Sequence, residues 1–329
     1  MRTQLTSVLA GLAAGAVVAG TVSAQDVRIR FGTTNDPGGT QYMSGEEFVN
    51  RVNERLGDQV NAELYGSSQL GTDTEMLQKV KLGTLEISQP STVMSTVTPE
   101  FGLFDLPYLV KDRDHMVCIS EQIVWPKFAP LIEEQGYKLI GVWENGFRHI
   151  TNNIRPINVP EDLQDMKLRV PGGVWRIKMF EAYGANPTPM EFAEVFVGLQ
   201  TGVIDGQENP YANIWAAKFN EVQKYLSETS HVFTPSFPTA SLRLFNEWPE
   251  EVQTGIMEIG DEIQAWTYDA AEEIDVDLRQ KLIDAGMEFN EADRDAFVEA
   301  SQSIYDQFAE EVEGGRELID QALALADGC

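Results

Sequence analysis

From Val27 to Ser91 the chain switches repeatedly between two periodicities, and this alternation restricts its fold more than any other feature. VRIRFGTT (27–34) places apolar side chains at every second position and runs into the turn cluster NDPGGT, which reads as a strand and a loop. A helix is expected from about 41 to 56, where Met43, Phe48, Val52 and Leu56 fall near helical spacing. VNAELYGSSQLG reads as a second strand and turn, TEMLQKVKLG as a second helix and LEISQPS as a third strand. This βαβαβ order implies a parallel sheet covered by helices. The pattern returns with KLIGVWE and MKLRVP as strands, VWRIKMFEAYG and EFAEVFVGLQ as helices, and ASLRLFN as a further strand. From 250 to about 285 and from 291 to 326 the text is helical and nearly free of proline. Residues 261–329 carry 20 Asp or Glu against 4 Lys or Arg, as solvated helix faces do. No repeat or low-complexity linker separates the two α/β regions, so several crossings should join them.

The first residues read as a secretory signal peptide: Arg2, an apolar stretch from Val8 to Gly20, small residues at Val22 and Ala24, and cleavage expected between Ala24 and Gln25. That stretch is too short to span a bilayer, and no Cys follows the cleavage point to carry a lipid. The mature protein is therefore expected to be exported and not inserted in the membrane. Net charge is −28 for the whole chain and −29 once Arg2 is gone, which argues against nucleic acid and anionic membrane partners. A mature chain of about 305 residues suits two domains, and with only Cys118 and Cys329 its stability must rest on a hydrophobic core. A bridge between those cysteines and two free thiols both stand open.

Enzyme chemistry finds little support. His115, His149 and His231 are far apart and show no HExxH or HxH spacing, the two cysteines cannot form a zinc pair, and no metal site is legible. No cofactor motif appears either, since GxSxG, GxGxxG and the P-loop are absent. Asp205 and Glu208 form a carboxylate pair of the kind a hydrolase would use, but acids are so abundant that such pairs arise by chance.

The basic residues are scarcer and more informative. Between 147 and 178 stand Arg148, Arg155, Lys167, Arg169, Arg176 and Lys178 against Glu161, Asp162 and Asp165, a local excess of positive charge that would draw in an anion. Arg169 ends the apolar run MKLRVP just before Pro171, Gly172 and Gly173, where a helix begins. A guanidinium buried there needs a carboxylate, and its fork suits bidentate pairing. The partner is either a ligand or an internal Asp or Glu. After EFAEVFVGLQ, the polar run in LQTGVIDGQENP ends a helix and suggests a wall facing something polar. Within it Asn209, ahead of Pro210, is a candidate N-cap or ligand contact. Trp143, Phe147, Trp175, Phe192 and Trp215 read mainly as core, with one or two available as the flat wall on which a sugar ring rests.

With these residues in view, the segment ENGFRHITNNIRPI, the LRVPGG and NPTPM motifs and LQTGVIDGQENP, in one order, resemble the solute-binding proteins of tripartite ATP-independent periplasmic (TRAP) transporters, the DctP family. FGTTNDPGG, LYGSSQLGTDTEMLQKVKLGTLEI and FGLFDLPYLVKD extend the resemblance over nearly the whole mature chain. It implies an α/β, two-lobed periplasmic binding protein fold, each lobe a sheet flanked by helices, with a ligand cleft between them and long C-terminal helices. The lobes are expected at 25–145 plus 235–272 and 146–234 plus 273–300, with 301–329 packing back on the first. The resemblance further implies a periplasmic monomer that delivers a small organic acid to a small and a large membrane subunit driven by an ion gradient. It assigns Arg169 the bidentate salt bridge to the ligand carboxylate, Arg148 a supporting role, Asn209 a hydrogen bond to the same group, and Phe192 a place on the cleft wall.

By position Thr34, Asp73 and Ser91 face the cleft from the other lobe. Ser91 and Gly172 replace the carboxylate and the amide that sialic-acid binders carry there, which points away from sialic acid. The GFRHITNN wording and Asp73 are similar to binders of uronic or aldonic acids; C4-dicarboxylates, 2-oxo acids and small sulfonates stay open. Trp175 completes the expected set of ligand contacts. Outside this family, an ABC-type binding protein, a sensor partner and a secreted hydrolase are the alternatives.

Overall fold

The computed structural model describes residues 27–329, so the expected leader and its cleavage point lie outside the described residues. Two sheets and a two-stranded ribbon between them organise the chain. The first sheet runs Val60–Tyr65, Val27–Gly32, Ile87–Ser88, Thr239–Ser241, Tyr137–Leu139. Its first three strands are parallel, as the βαβαβ order requires, while Thr239–Ser241 enters antiparallel. Ile29 and Phe31 of Val27–Gly32 are fully buried beneath the helix Thr40–Leu56, whose Phe48 and Val52 fill the same layer. The helix Asp73–Leu82 is fixed at both ends: Thr72 and Glu75 form a reciprocal capping box, and Gly83, at φ 68°, takes the left-handed conformation that stops the helix.

The second sheet has the order Glu288–Glu291, Tyr225–Glu228, His149–Asn152, Gly206–Asn209, Lys167–Val170, Asn186–Pro189. Joining the sheets, Trp143–Phe147 pairs antiparallel with Phe233–Ser236, one strand leaving the first sheet and the other returning to it. A third crossing is the 35-residue helix Glu250–Asp284. Val252, Ile256 and Ile263 of its first half pack with Phe48 and Trp143, while Leu278 and Leu282 of its second half pack with Phe219 and Leu226.

Several segments depart from the sequence expectation. KLIGVWE splits into Tyr137–Leu139 and Trp143–Phe147, belonging to different sheets. ASLRLFN keeps only Thr239–Ser241 as strand; Leu242–Glu247 is helical and buries Phe245. EFAEVFVGLQ opens with a single tight turn, Phe192–Glu194, before the helix Val195–Thr201. The polar GQEN, expected in a turn, is a fully buried strand inside the second sheet.

The C-terminal helix Gln302–Glu311 packs on Val174–Ala182, and Gly315–Ala324 packs on the segment Pro99–Asp105. Cys118 and Cys329, 211 residues apart, form a disulfide. Nearby, His115 Nε2 donates to the Ala322 carbonyl at 2.7 Å and its Nδ1 accepts from the Lys111 N–H at 3.1 Å, holding the chain end down. No helix among the described residues is long and apolar enough to cross a membrane.

Candidate ligand-binding site

The strand Lys167–Val170 sets Arg169 opposite Gln207 on one side and Thr188 on the other. Its guanidinium is 3 % exposed, and Nε donates to the Met190 carbonyl at 2.9 Å. No ion pair among the described residues includes it. The Phe192 ring lies 5.9 Å from the guanidinium carbon. Burial, followed by the neighbouring charge of Arg148, lowers the Arg169 pKa to about 10, so the group stays cationic at neutral pH.

Arg148 differs in kind. Its Nε donates to Glu208 Oε2, and its Nη2 donates to Glu208 Oε1 at 3.0 Å and to the Glu208 carbonyl at 2.6 Å. Arg176 joins the same carboxylate through Nη1 at 2.8 Å and reaches Asp105 Oδ1 through Nη2 at 2.8 Å. Burial by itself would raise the Glu208 carboxyl, but the two guanidiniums hold it well below the usual range. His231 is lowered to about 4 by burial and is therefore neutral at pH 7. Its Nε2–H donates to Glu208 at 3.1 Å while Nδ1 accepts from the Thr229 hydroxyl at 2.8 Å. Two cations, Arg148 and Arg176, and two anions, Glu208 and Asp105, thus cancel within one buried cluster. Lys178 pairs with Glu311, and Arg155 and Lys167 are exposed, so the basic segment leaves Arg169 as its one buried cation without an anion.

Arg169 opens onto a partly open cavity. Seven of the nine expected residues line it: Thr34, Asp73, Ser91, Arg148, Arg169, Phe192 and Asn209. Asn35, Gln41, Thr92, Val93, Asn145, Pro171 and Asn213 complete the wall. The Thr34 hydroxyl donates to Asp73 Oδ2 at 3.3 Å and Oδ1 at 3.4 Å. Burial and then the charge of Glu191 push Asp73 up to about 7, against the opposing pull of Thr34 and Arg169. Ser91 Oγ donates to the Pro235 carbonyl at 2.7 Å and accepts from Asn145 Nδ2 at 3.4 Å.

Two of the expected residues do not line this cavity. Gly172 is not part of the lining. Trp175 is 2 % exposed and packed against Phe308, ring centroids 5.1 Å apart, because the helix Val174–Ala182 turns its indole toward Gly102 and away from the cavity. Asn209 is also not an N-cap: it ends the strand Gly206–Asn209 and donates to Gln207 Oε1 at 2.5 Å, while Pro210 takes the capping position. Gly202 turns the chain at φ 72°, but Gly206 sits in the strand, where an added Cβ would lie 2.4 Å from the Thr151 carbonyl oxygen. Asp205 accepts from the Lys167 N–H at 2.9 Å, while Glu208 is buried with Arg148 and Arg176.

Residues 31–311 match the family described as bacterial extracellular solute-binding protein, family 7. The 2,3-diketo-L-gulonate-binding periplasmic protein of Escherichia coli K12 is 32% identical over 318 residues, 94% of each chain. The chain belongs to this family of TRAP solute-binding proteins. Among solved structures, the sugar acid binding protein of Advenella mimigardefordensis in complex with galactonate is 28% identical with a TM-score of 0.88, covering 92% of this chain and 98% of that one. The TRAP periplasmic solute binding protein of Sulfitobacter sp. NAS-14.1 with bound β-D-galacturonate is 26% identical with a TM-score of 0.86, covering 90% and 99%. The expected two-lobed α/β fold is the fold this solute-binding protein has.

Sequence reasoning missed two groups in this binding protein. Asn35 and Asn145 stand inside recognised motifs and Gln41 and Asn213 outside them, but none is singled out by sequence, since an amide reads the same on a surface as in a cavity. The buried set of Glu208, Arg176, Asp105 and His231 was legible only as scattered charges. Its signal was the excess of cations around Arg176, which demanded anions from elsewhere in the chain.

Proposed function

We propose that this protein is a periplasmic monomer, exported by cleavage after Ala24, that captures a small sugar acid, a uronate or an aldonate, and hands it unchanged to the small and large membrane subunits of a TRAP transporter. The observation that carries the reading is the Arg169 guanidinium, buried, fork-shaped, held by one carbonyl and without an internal anion. A ligand carboxylate satisfies it bidentately, with Asn209 alongside and the Phe192 ring below. Arg148 acts through Glu208, which fixes it beside the same point.

The far wall favours hydroxyls over a second acid. Thr34, Asn35, Gln41, Ser91, Asn145 and Asn213 supply donors and acceptors but no cation, and Asp73 adds an acceptor. The second carboxylate of a C4-dicarboxylate would face Asp73 and Glu191 with nothing to offset it. A 2-oxo acid or small sulfonate would leave much of this polar wall unpaired. The neighbours that bind galactonate and β-D-galacturonate agree with this preference, and the relative that binds 2,3-diketo-L-gulonate takes a 2-oxo acid that also carries sugar hydroxyls.

A thermal-shift screen over uronates, aldonates, C4-dicarboxylates, 2-oxo acids and sulfonates, followed by calorimetry, tests the reading. A sugar acid at 100 times its Kd should add about 2.7 kcal/mol of stability. The reading fails if only dicarboxylates or sulfonates stabilise the protein.

A further inference from the structure

The helix Thr40–Leu56 begins without a cap of its own, because Gly39 has no side chain to accept from it. Two asparagines from elsewhere meet its first N–H groups. Gln41 N–H donates to Asn35 Oδ1 at 3.3 Å, within the first lobe, and Thr40 N–H donates to Asn213 Oδ1 at 3.3 Å. Asn213 belongs to Tyr211–Ala216, whose Tyr211, Ala212 and Ile214 are packed in the core of the second lobe. Its own Nδ2 donates to Asn145 Oδ1 at 3.0 Å on the crossing strand Trp143–Phe147. Asn145 Nδ2 in turn donates to Thr234 Oγ1 at 3.2 Å on the returning strand. A chain of amides therefore runs from a helix end of one lobe, through the other lobe, to both hinge strands. The approach needs a glycine: a Cβ on Gly39 would stand 3.1 Å from Asn213 Oδ1 and 2.7 Å from Asn35 Oδ1.

We propose that Asn213 is the closure latch, a positioning residue that caps the first-lobe helix across the cleft, so that closing around the solute completes a hydrogen bond that opening must break. This rests on the solute-capture reading above. The N–H groups at a helix start carry the positive end of its dipole and bind a capping oxygen well. At 2 % exposure Asn213 is out of reach of water while the latch is shut, so opening leaves both partners unpaired until solvent enters. Occupation of the cavity and the lobe contact are thereby coupled through one side chain, since Asn213 also lines the solute cavity.

That double role makes Asn213 a poor residue to substitute and Thr40 a good one. Thr40 does not line the solute cavity, and proline is well accepted at the first helical position. Gly39, at φ −74° and ψ 152°, already has the extended conformation that a residue before proline adopts. Thr40→Pro removes the N–H and places a ring carbon between that nitrogen and Asn213 Oδ1, displacing the amide; Thr40→Ala keeps the N–H.

The experiment measures binding of D-galacturonate, D-galactonate and succinate by calorimetry and stopped flow, using whichever binds the wild type most tightly. Thr40→Pro should weaken it by at least about tenfold, mainly through faster release, with Thr40→Ala within about twofold of wild type. The ligand-free melting temperature of Thr40→Pro should stay within about 2 °C of wild type. If Thr40→Pro binds as tightly as Thr40→Ala while Arg169→Ala has lost binding, the latch is wrong and solute capture stands. If none of the three acids binds the wild type, or Arg169→Ala binds normally, solute capture fails and takes the latch with it. Should Thr40→Pro fold poorly, amide exchange of Thr40 in the wild type decides. Protection rising by about tenfold on saturation supports the latch, and unchanged protection overturns it.

Discussion

Arg148 lies close enough to Arg169 to help lower its pKa, yet Arg148 has an internal carboxylate and Arg169 pairs with none among the described residues. Which of two such arginines is free depends on Glu208, a residue about 40 positions further along than Arg169 in a segment that reads as a turn. Arg169→Ala is expected to remove binding by about 3 kcal/mol or more, because a charge-assisted bidentate pair is lost. The fold should survive, since the side chain makes one internal hydrogen bond. Calorimetry together with circular dichroism checks both halves, and unchanged affinity would refute the assignment. Asp73 yields a pH prediction. Its carboxyl is raised to about 7 in the folded state from 3.8, so its ionisation destabilises the fold as pH rises through that window. Asp73→Asn should therefore melt a few degrees above wild type at pH 8, with the gap narrowing as pH falls below about 7 and closing only near the unfolded value of 3.8. A gap independent of pH would show that Asp73 is not the titrating group.

At the scale of elements, the segment GQEN shows why pattern reading failed where the chemistry is densest. Strands are recognised by β-branched and apolar residues, and this one has none. It is a central strand because its polar side chains find partners only when the sheet is assembled: Gln207 donates to the Thr151 hydroxyl at 2.9 Å, and Glu208 meets Arg148 and Arg176. Glu208→Gln would leave two buried guanidiniums short of an anion, and a loss of about 3–5 kcal/mol is expected in urea unfolding. A loss below about 1 kcal/mol would mean that water or another carboxylate compensates. The elements with regular apolar spacing, Val27–Gly32, Thr40–Leu56 and Lys167–Val170, were legible because burial alone determines them.

The whole molecule depends on contacts between distant parts of the chain. Three crossings connect the sheets, and the disulfide of Cys118 with Cys329 ties the C-terminal end of the chain to the helix Arg113–Ile119. Closing so long a loop restricts the unfolded chain, so the Cys118→Ser, Cys329→Ser variant should lose about 2–5 kcal/mol and melt lower in calorimetry. Its affinity for a sugar acid should be unchanged, because neither cysteine lines the cavity. A fall in affinity would mean that the C-terminal helices set the angle of the lobes.

By itself the sequence determined the α/β class, the pairing of strands with helices, the family and the arginine proposed to hold the solute, all properties written in local spacing or in contiguous motifs. Whether the cysteines join, which cations are neutralised, that Trp175 faces the core and that Asn213 reaches Thr40 were decided only by tertiary structure. Each of these depends on which groups meet across hundreds of residues, and a buried charge or amide takes its role from the partner it finds there.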